Sequence, residues 1–577
     1  MTYLRKANGL WFAVVRTLPV VRQSFHGQVA AVAKQRGHAS RGLRRASAFR
    51  VACSALSAIA LLALMAPKSM AQATTGSIGG VVTDSSGAVI SGADVTAIEL
   101  ATGIQTRVIS NGDGVFSLPR LKPGAYTVSV AKQGFKKQEF QNVTLSIAQA
   151  LTLDAVLTAG ELSETVTVTA AGQELIQKEQ VQITDTFESR QVQDLPSNGA
   201  GQGIDTLALL LPGVVPGVGN LNGNGTFLSV NGNRARSNNF TIDGGDNNDL
   251  SLGGPAFFVD DPDAVQEFQV ISNNFSAEYG RNQGAIVNIV TKSGGNQYHG
   301  TAAWFHRDAS FLNSLDNIQK SEGLSGPPPA LYNLWDGTFG GPIIKDRLFF
   351  FGSFQYTTQP ATAILNGVDP SIEASSFPAL NAAFPGNPLV QAITHNSAFA
   401  FPNFGTLSTR SDLPTGTINI GGVNAAVGFP TREVSEPFSE KEFSVRGDYK
   451  INDKQSVWFR QFYQLSLAKN ALATDNGFTG DIPARGNLST ANYTWQVSNT
   501  AVNSFEFVRN RLFVNFGGGC SGGNCIPAPA DLLNTFTSIA FTGTTTSLGF
   551  PLETMGPNPG FPQGRTVTSY QFRDDLS

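Results

Sequence analysis

Apolar and polar residues alternate along much of this chain with the two-residue period of β-strands. The clearest stretch runs from Glu442 to Ile451, where Phe443, Val445 and Tyr449 alternate with charged or polar residues. Charges on every second position, with aromatic residues between them, favour a wall that has lipid on one side and water on the other. A sheet of a soluble domain is the alternative.

Similar strands are predicted on both sides of this stretch. They are Gln297–Arg307, a hairpin within Gly337–Tyr356, Ser456–Gln464, Asn492–Ser498 and Asn503–Phe513. The turns Lys345–Arg347 and Asn452–Gln455 are short, whereas Thr357–Pro437 is long, irregular and rich in Pro, Ala, Asn and Gly. Short turns on one edge and long loops on the other are typical of membrane barrels, and the strands number about seven.

Composition supports an all-β chain of several domains. Of 577 residues 61 are glycine, and only 14% are charged. After the N-terminus no run of about 20 apolar residues occurs, so no membrane-spanning helix is predicted there. A chain of this length predicts about three or four domains.

The first 73 residues have the pattern of a targeting segment. Basic residues lead into the apolar core Val51–Met65, which is too short to span a membrane, and Ser69–Ala71 or Ala71–Ala73 supplies a cleavage site. A single-pass anchor is the alternative. Eleven of the 40 basic residues precede Asp84, the first acidic residue, so 29 basic residues face 43 acidic ones in the remainder, a net charge near −14. This excess of acidic residues argues against nucleic-acid binding.

Residues 74–160 are predicted to form a small β-sandwich. Its short strands are separated by turn sequences such as Asn111–Gly114 and Lys122–Gly124. The sequence GGVVTDSSGAVISGADV, followed by NGDGVFSLPRLKPGAYTVSV, resembles the carboxypeptidase regulatory-like domain, an accessory immunoglobulin-like or transthyretin-like sandwich. Carbohydrate binding follows only from analogy with that fold. The aromatic residues are assigned to the core rather than to a sugar-stacking surface: Phe116, Tyr126, Phe135 and Phe140.

The sequence predicts no residues that catalyse the making or breaking of covalent bonds. The histidines lack zinc-hydrolase spacing and no dinucleotide-binding loop occurs, so we expect no catalytic residue, cofactor or metal site. Cys520 and Cys525 flank Ser-Gly-Gly-Asn in a glycine-rich loop, and in an exported protein they are predicted to form a disulfide rather than two free thiols.

The stretch PDAVQEFQVISNNFSAEYGRNQGAIVNIVTKSGG, from Pro262 to Gly295, combines an apolar strand with ordered turn signals. It resembles the end of the plug domain of TonB-dependent outer-membrane receptors and, among these, the Oar-like receptors with an added N-terminal sandwich. In that family a Tyr-Gly turn, a glycine step and a VNIVTK strand close the plug, and the first barrel strand follows. The resemblance implies that Tyr279, Gly280, Gly284, Asn288 and Thr291 belong to this motif.

The sequence Phe227–Asp249 resembles the core hairpin of the plug, with a short helix predicted before it at Ile204–Leu211. Asn231, Gly232 and Arg234 are assigned to its first arm, and Asp243 and Gly244 to its second. An aspartate cluster follows in the same region: Asp243, Asp246, Asp249, Asp260, Asp261 and Asp263. Its spacing does not match a calcium loop, so solvated turn carboxylates are predicted.

The sequence ELSETVTVTA, from Glu161 to Ala170, has two interpretations. It is either the last strand of the sandwich or a strand outside any domain that pairs with the sheet edge of a partner. Its position ahead of the plug favours the second, and it resembles the TonB box. That resemblance implies contact with TonB, the inner-membrane energy-coupling protein, through Glu164, Thr165, Val166, Thr167, Val168 and Thr169.

The predicted fold is therefore mostly β. A targeting segment (1–73), the sandwich (74–160), a TonB-box-like segment (161–172), an α+β plug (173–295) and part of an antiparallel transmembrane β-barrel (296–577) follow in order. The family's barrel has about twenty-two strands, so a C-terminally truncated receptor is expected. The predicted function is import, across the outer membrane and driven by TonB, of a solute that is a carbohydrate, a peptide or a metal chelate. The alternative is an outer-surface adhesin or carbohydrate-binding scaffold without energy coupling.

Overall fold

The computed structural model describes residues 3–7, 10–14 and 75–576, the last range with gaps. The longer gaps are 170–181, 196–202, 218–227, 309–330, 395–407, 470–479, 517–544 and 553–562, and the others span one to three residues. Two short strands near the N-terminus, β1 (Tyr3–Ala7) and β2 (Leu10–Val14), pair antiparallel. The rest of the predicted targeting segment lies outside the described residues.

The sandwich has the two-sheet architecture expected of it. Its strands are β3 (Gly76–Asp84), β4 (Asp94–Glu99), β5 (Gln105–Ile109), β6 (Val115–Leu121), β7 (Gly124–Ala131), β8 (Lys137–Leu145), β9 (Ala150–Thr152) and β10 (Ala155–Leu157). One sheet has the order β10-β3-β6 with β9 also on β3, and the other contains β8-β7-β4-β5. Between them lies a separate apolar core in which Phe116, Tyr126 and Phe140 are buried and Phe135 is partly buried. The assignment of these aromatic residues to the core is confirmed.

The TonB-box-like segment forms a strand of the sandwich. β11 (Thr165–Thr169) pairs in parallel with β8, from Thr165 opposite Lys137 to Thr169 opposite Gln141. Val168 packs against the sandwich core, and Lys136 forms a 2.5 Å ion pair with Glu164. The expectation of a strand outside any domain is therefore corrected, because β8 offers an open sheet edge that β11 fills.

The plug follows as a compact α+β unit. Its elements are β12 (Ile183–Glu188), α1 (Ser189–Asp194), β13 (Val214–Pro216), β14 (Leu228–Val230), β15 (Asn239–Ile242), β16 (Gly245–Asp246), β17 (Val265–Asn273), β18 (Ile286–Thr291) and 3₁₀ helices at Ile204–Leu210, Ala235–Ser237 and Pro262–Ala264. Five strands make one sheet in the order β12-β17-β18-β15-β16, with β15 parallel to β18. Every residue of β18 is buried, as the apolar run predicts.

The predicted core hairpin is wrong. β14 pairs with β13, whereas β15 pairs with β18 and β16. Asn238 explains the separation: its Nδ2 donates to the Leu228 carbonyl at 2.6 Å and its Oδ1 accepts from the Ala285 amide at 2.9 Å. After the Ala235–Ser237 turn, these bonds hold the two arms in different sheets.

An eight-stranded antiparallel sheet, here called the wall, encloses one side of the plug. Its strands are β19 (His299–Arg307), β20 (Tyr332–Ile344), β21 (Leu348–Gln359), β28 (Phe438–Asn452), β29 (Gln455–Ala468), β30 (Ile482–Ser498), β31 (Ala501–Phe516) and β32 (Gln563–Leu576), paired in that order. Phe443 and Val445 lie on the outer face, 46% and 40% exposed, while Glu442, Ser444 and Arg446 are buried on the inner face. The alternation therefore separates an apolar outer face from a polar inner face that packs on the plug.

The long segment between β21 and β28 is partly folded, so the expectation of an irregular loop is corrected. It contains β22 (Thr362–Asn366), β23 (Ser371–Ile372), a 3₁₀ helix (Ala374–Ser376), α2 (Phe377–Ala383), β24 (Ser408–Thr409), β25 (Gly416–Ile420), β26 (Val423–Gly428) and β27 (Pro430–Ser435). A small apolar core includes Leu380, Ile418 and Val427, and Leu552 from the segment before β32 joins it. We call this unit the outer subdomain. The segment is ordered because its apolar residues and Leu552 of the second segment bury one another in this common core.

Candidate functional site: the plug against the wall

The site centres on Asp243, which directly follows β15 and has the positive backbone angle φ = 47°. Its two carboxylate oxygens accept hydrogen bonds from Thr291, at 2.9 Å from the amide and 2.7 Å from the hydroxyl. These bonds join the ends of the parallel strands β15 and β18. Two residues of the predicted plug motif are thus brought into direct contact.

Two arginines of the wall face the same carboxylate. Arg460 of β29 donates to both Asp243 and Thr291, and Nη1 of Arg446 lies 3.8 Å from Asp243 Oδ2. Burial acts to raise the pKa of Asp243, but the two guanidinium groups and the Thr291 hydrogen bonds hold that pKa below its ordinary value. The carboxylate is therefore ionised, and its charge binds the plug to the wall.

A second group of contacts attaches the following plug segment to β31 and β32. Arg565 forms a 2.6 Å ion pair with Asp249, and Asn510 donates to the Asp246 carbonyl at 3.0 Å. Asp243, Asp249, Asp260 and Asp261 are all buried. The prediction of solvated turn carboxylates is wrong for these four, because they fold against the inner face of the wall.

A third group of contacts joins acidic residues of the plug to acidic residues of the wall. The Asp260 amide donates to Glu442 Oε2 of β28 at 3.0 Å, and Asp261 lies fully buried beside it. Burial, together with Asp260, raises the pKa of Asp205 to about 7, and burial together with Asp336 raises the pKa of Asp261 to about 7. No three His, Cys, Asp or Glu side chains in the described part of the chain are placed to hold a metal ion.

The other predicted motif residues serve local structure. Asn231, Gly232, Gly244 and Gly280 adopt positive φ angles of 51°, 76°, 81° and 29°. Arg234 is exposed.

The glycine step and the VNIVTK strand are enforced by close packing. A Cβ on Gly284 would lie 2.2 Å from Asn238 Oδ1, so a side chain is excluded there. Asn288 is buried, accepts from Thr241 Oγ1 at 2.5 Å and donates to Gln269 Oε1 at 3.2 Å. Tyr279 is also buried. These residues shape the plug sheet rather than contact the wall.

Sequence reasoning missed the wall residues that complete the site, namely Arg460, Arg446 and Arg565. The signal that could have found them is their position on the charged, inner face of strands whose other face is aromatic. The predicted disulfide between Cys520 and Cys525 lies outside the described residues.

Comparisons with known proteins identify two domains of the chain. A family model described as an outer membrane β-barrel domain matches residues 290–577, and one for the carboxypeptidase regulatory-like domain matches residues 77–158. The TonB-dependent transporter Oar of Myxococcus xanthus is 27% identical over 291 residues, which cover 48% of this chain and 26% of Oar. The chain therefore carries an outer membrane β-barrel domain and is similar to an Oar-type TonB-dependent transporter. These matches locate the chain in the outer membrane.

Solved structures that match part of the chain include a ferric enterobactin receptor (PfeA) from Pseudomonas aeruginosa, with 11% identity and a TM-score of 0.38, covering 67% of this chain and 45% of that one. The siderophore receptor PirA from Acinetobacter baumannii has 12% identity and a TM-score of 0.38, covering 68% and 44%. This Oar-like chain therefore spans about a quarter of Oar and less than half of these receptors. None of the helices in its described part has the length and hydropathy needed to cross a bilayer.

Proposed function

We propose that this Oar-like chain is the plug-bearing part of a receptor that binds a solute on its outer side and admits it when TonB pulls on β11. The observation that carries the proposal is the attachment of the plug to the inner face of the wall through Asp243, Arg460 and Arg446. A plug held by a few buried ion pairs has discrete bound and released states, and an external force can shift their populations. No bond chemistry is needed.

The position of β11 supports a role in partner binding. It is the edge strand of a five-stranded sheet, and Glu164, Thr165, Val166 and Thr167 are exposed. Edge strands usually carry lysine, proline or a bulge that prevents pairing, and Thr165–Thr169 contains neither residue. A strand of TonB would add to this free edge by main-chain hydrogen bonds.

The location of the sandwich agrees with a partner on the inner-membrane side. The sandwich lies at the end of the wall that carries the short turns, where Asn296 bonds to both Thr102 and Asp346. In outer-membrane barrels short turns face the periplasm and long loops face outward. The outer subdomain, at the opposite end, is the proposed region for first contact with the solute, whose class stays open among a carbohydrate, a peptide and a metal chelate.

The test uses the receptor expressed from its complete gene and the purified periplasmic domain of TonB from the same organism. Val166→Pro and Thr167→Pro each remove one amide donor, and consecutive strand residues direct these donors to opposite edges. One of the two variants should therefore lose capture of TonB while the sandwich stays folded. Val156→Pro, at an exposed valine in the edge strand of the other sandwich sheet, is the matched control and should bind normally.

Deleting Glu164–Ala170 in the complete gene should abolish TonB-dependent uptake and leave surface binding intact. Unchanged TonB capture by both proline variants and by this deletion would exclude β11 as the contact. It would favour the alternative, an adhesin or scaffold without energy coupling.

A further inference from the structure

The sandwich contacts the wall through charged side chains. Lys122 Nζ lies 2.6 Å from Asp448 Oδ1 of β28, and Arg120 Nη2 lies 3.2 Å from Asp575 Oδ2 of β32. Asp448 is 6% exposed and Lys122 31% exposed, so the first pair is mostly removed from solvent. The sandwich is therefore attached to the membrane-spanning part of the chain as well as linked to it by sequence.

The sandwich also contacts the plug directly. The Ile147 amide donates to Glu267 Oε2 at 3.0 Å, and Gln269 Nε2 donates to the Ile147 carbonyl at 3.0 Å. Glu267 and Gln269 belong to β17, the plug strand next to β18. Beyond the plug, the Asn296 amide donates to the Ala101 carbonyl at 2.8 Å, just before the first wall strand.

These contacts meet in a row of alternating charges that crosses all three units. Arg446 donates to Asp448 from Nε at 2.9 Å, and the same guanidinium faces Asp243 of the plug. The order is Lys122 of the sandwich, Asp448 and Arg446 of the wall, Asp243 of the plug and Arg460 of the wall. The four members that follow Lys122 are almost wholly buried, so each depends on its neighbours for compensation of its charge.

We propose that the docked sandwich locks the plug: Lys122 on Asp448 and Ile147 on β17 hold the plug in the wall until the sandwich leaves. Removing Lys122 leaves Asp448 with Arg446 as its remaining cation, which draws Arg446 from Asp243 and weakens the attachment of the plug. Because β11 is a strand of the sandwich, a force on β11 reaches this lock before it reaches the plug. That a force acts on β11 rests on the proposed function, whereas the lock itself does not.

The lock can be tested without TonB or a solute, in outer-membrane vesicles that contain the whole receptor. Val287→Cys places a thiol in the buried plug core, with Cys53, Cys520 and Cys525 replaced by serine. Its reaction rate with a membrane-impermeant maleimide reports opening of the plug. Lys122→Ala should raise this rate about two- to fivefold, the range for a partly exposed ion pair. Lys132→Ala, which removes a lysine that donates to Gly92 inside the sandwich, is the matched control and should leave the rate unchanged.

A double-mutant cycle tests whether the row of charges transmits the effect. In an Asp243→Asn background, Lys122→Ala should raise the rate by clearly less than it does alone. Equal effects in both backgrounds, or no effect of Lys122→Ala in either, would overturn the lock.

A reversible disulfide between the sandwich and the segment after the plug tests the lock without removing a native contact. A Cβ on Gly295 would lie 3.7 Å from the Ala101 Cβ, within the range for a disulfide. In the Ala101→Cys/Gly295→Cys protein, oxidation should slow labelling below that of the parent, and reduction followed by removal of the reductant should restore it. The single variant Gly295→Ala controls for the added Cβ, which would lie 2.8 Å from the Ala101 carbonyl oxygen. A labelling rate that oxidation leaves unchanged would contradict the lock, whatever the result of the TonB capture experiment.

Discussion

Arg460 of the wall and Asp243 of the plug form a buried ion pair between residues 217 positions apart in the sequence. Both side chains are at most 4% exposed, and Asp243 also joins the ends of two plug strands through Thr291. The pair therefore acts at once on the fold of the plug and on its attachment. Removing one partner of such a pair leaves an uncompensated buried charge.

Arg460→Met should lower the free energy of unfolding of the plug by about 3–5 kcal/mol. The double variant Asp243→Asn/Arg460→Met should recover part of this loss, because neither charge is then left alone. Urea-dependent labelling of a cysteine in the plug core measures the change in vesicles. Asp453→Asn, at an exposed turn carboxylate, is the control and should have little effect. A double variant as unstable as Arg460→Met would contradict the pairing.

The plug should become less stable as the pH rises from 5 to 8. In the unfolded chain Asp205 and Asp261 titrate near 4, whereas burial and neighbouring carboxylates raise both pKa values to about 7 in the folded plug. A raised pKa stabilises the fold below the unfolded value, and this contribution is lost as the pH rises through the folded value. Asp243 has a lowered pKa, so its contribution is lost only at acidic pH and stays constant in this window.

Urea midpoints of plug labelling at pH 5, 6, 7 and 8 check this dependence. The double variant Asp205→Asn/Asp261→Asn should flatten the profile, because the amides do not titrate. A profile of unchanged slope in that variant would assign the effect to another plug group, such as Glu267 of β17, because burial raises its pKa to about 7 as well.

Two adjacent glycines of β3 should respond very differently to the same substitution. A Cβ on Gly80 would lie 2.1 Å from the Leu153 carbonyl oxygen, whereas on Gly79 the nearest atom, the Phe116 carbonyl oxygen, lies 3.4 Å away. Gly80→Ala should destabilise the sandwich by about 1–3 kcal/mol through overpacking, with Gly79→Ala much closer to the parent. Protease resistance of the sandwich in the whole receptor, measured against temperature, would show the difference. Equal losses of stability in Gly80→Ala and Gly79→Ala would contradict the close contact of β3 with Leu153.

The outer subdomain should be able to unfold while the wall stays folded. Leu380→Ala leaves a cavity in its small core and should cost about 2–5 kcal/mol, which is more than so small a unit is expected to withstand. Proteolysis of intact cells should then cut within 369–428 while the wall strands stay protected. Leu380→Met conserves volume and is the control. Loss of the wall strands in Leu380→Ala would show that the two units fold together.

Sequence patterns predicted the elements whose burial has a simple period. Glu442–Ile451 lies within β28 with Phe443 outward and Arg446 inward, and the apolar run before Thr291 is the buried strand β18. Each pattern extends over enough residues to specify one orientation. The predicted wall strands after β19 are nevertheless shorter than the observed ones, because their ends lose the alternation, whereas β19 begins two residues later than predicted.

Pairing between short or distant segments was not predictable in the same way. β13 and β14 have three residues each, too few to specify a partner, and the Asn-Gly signal at Asn231 suggested a hairpin that does not form. The alternation in Thr165–Thr169 suits an edge of the sandwich and an edge of a partner equally. The row of charges from Lys122 to Arg460 depends on the tertiary fold alone, since its members come from three units.

The connection between plug and wall limits how far the plug travels. β18 ends at Thr291 and β19 begins at His299, so eight peptide steps separate them and span at most about 28 Å when fully extended. While the docked sandwich holds Asn296, the usable length is shorter still. Under the proposed function, a solute path would therefore open by rotation or partial unfolding of the plug about this tether, rather than by complete departure of the plug into the periplasm.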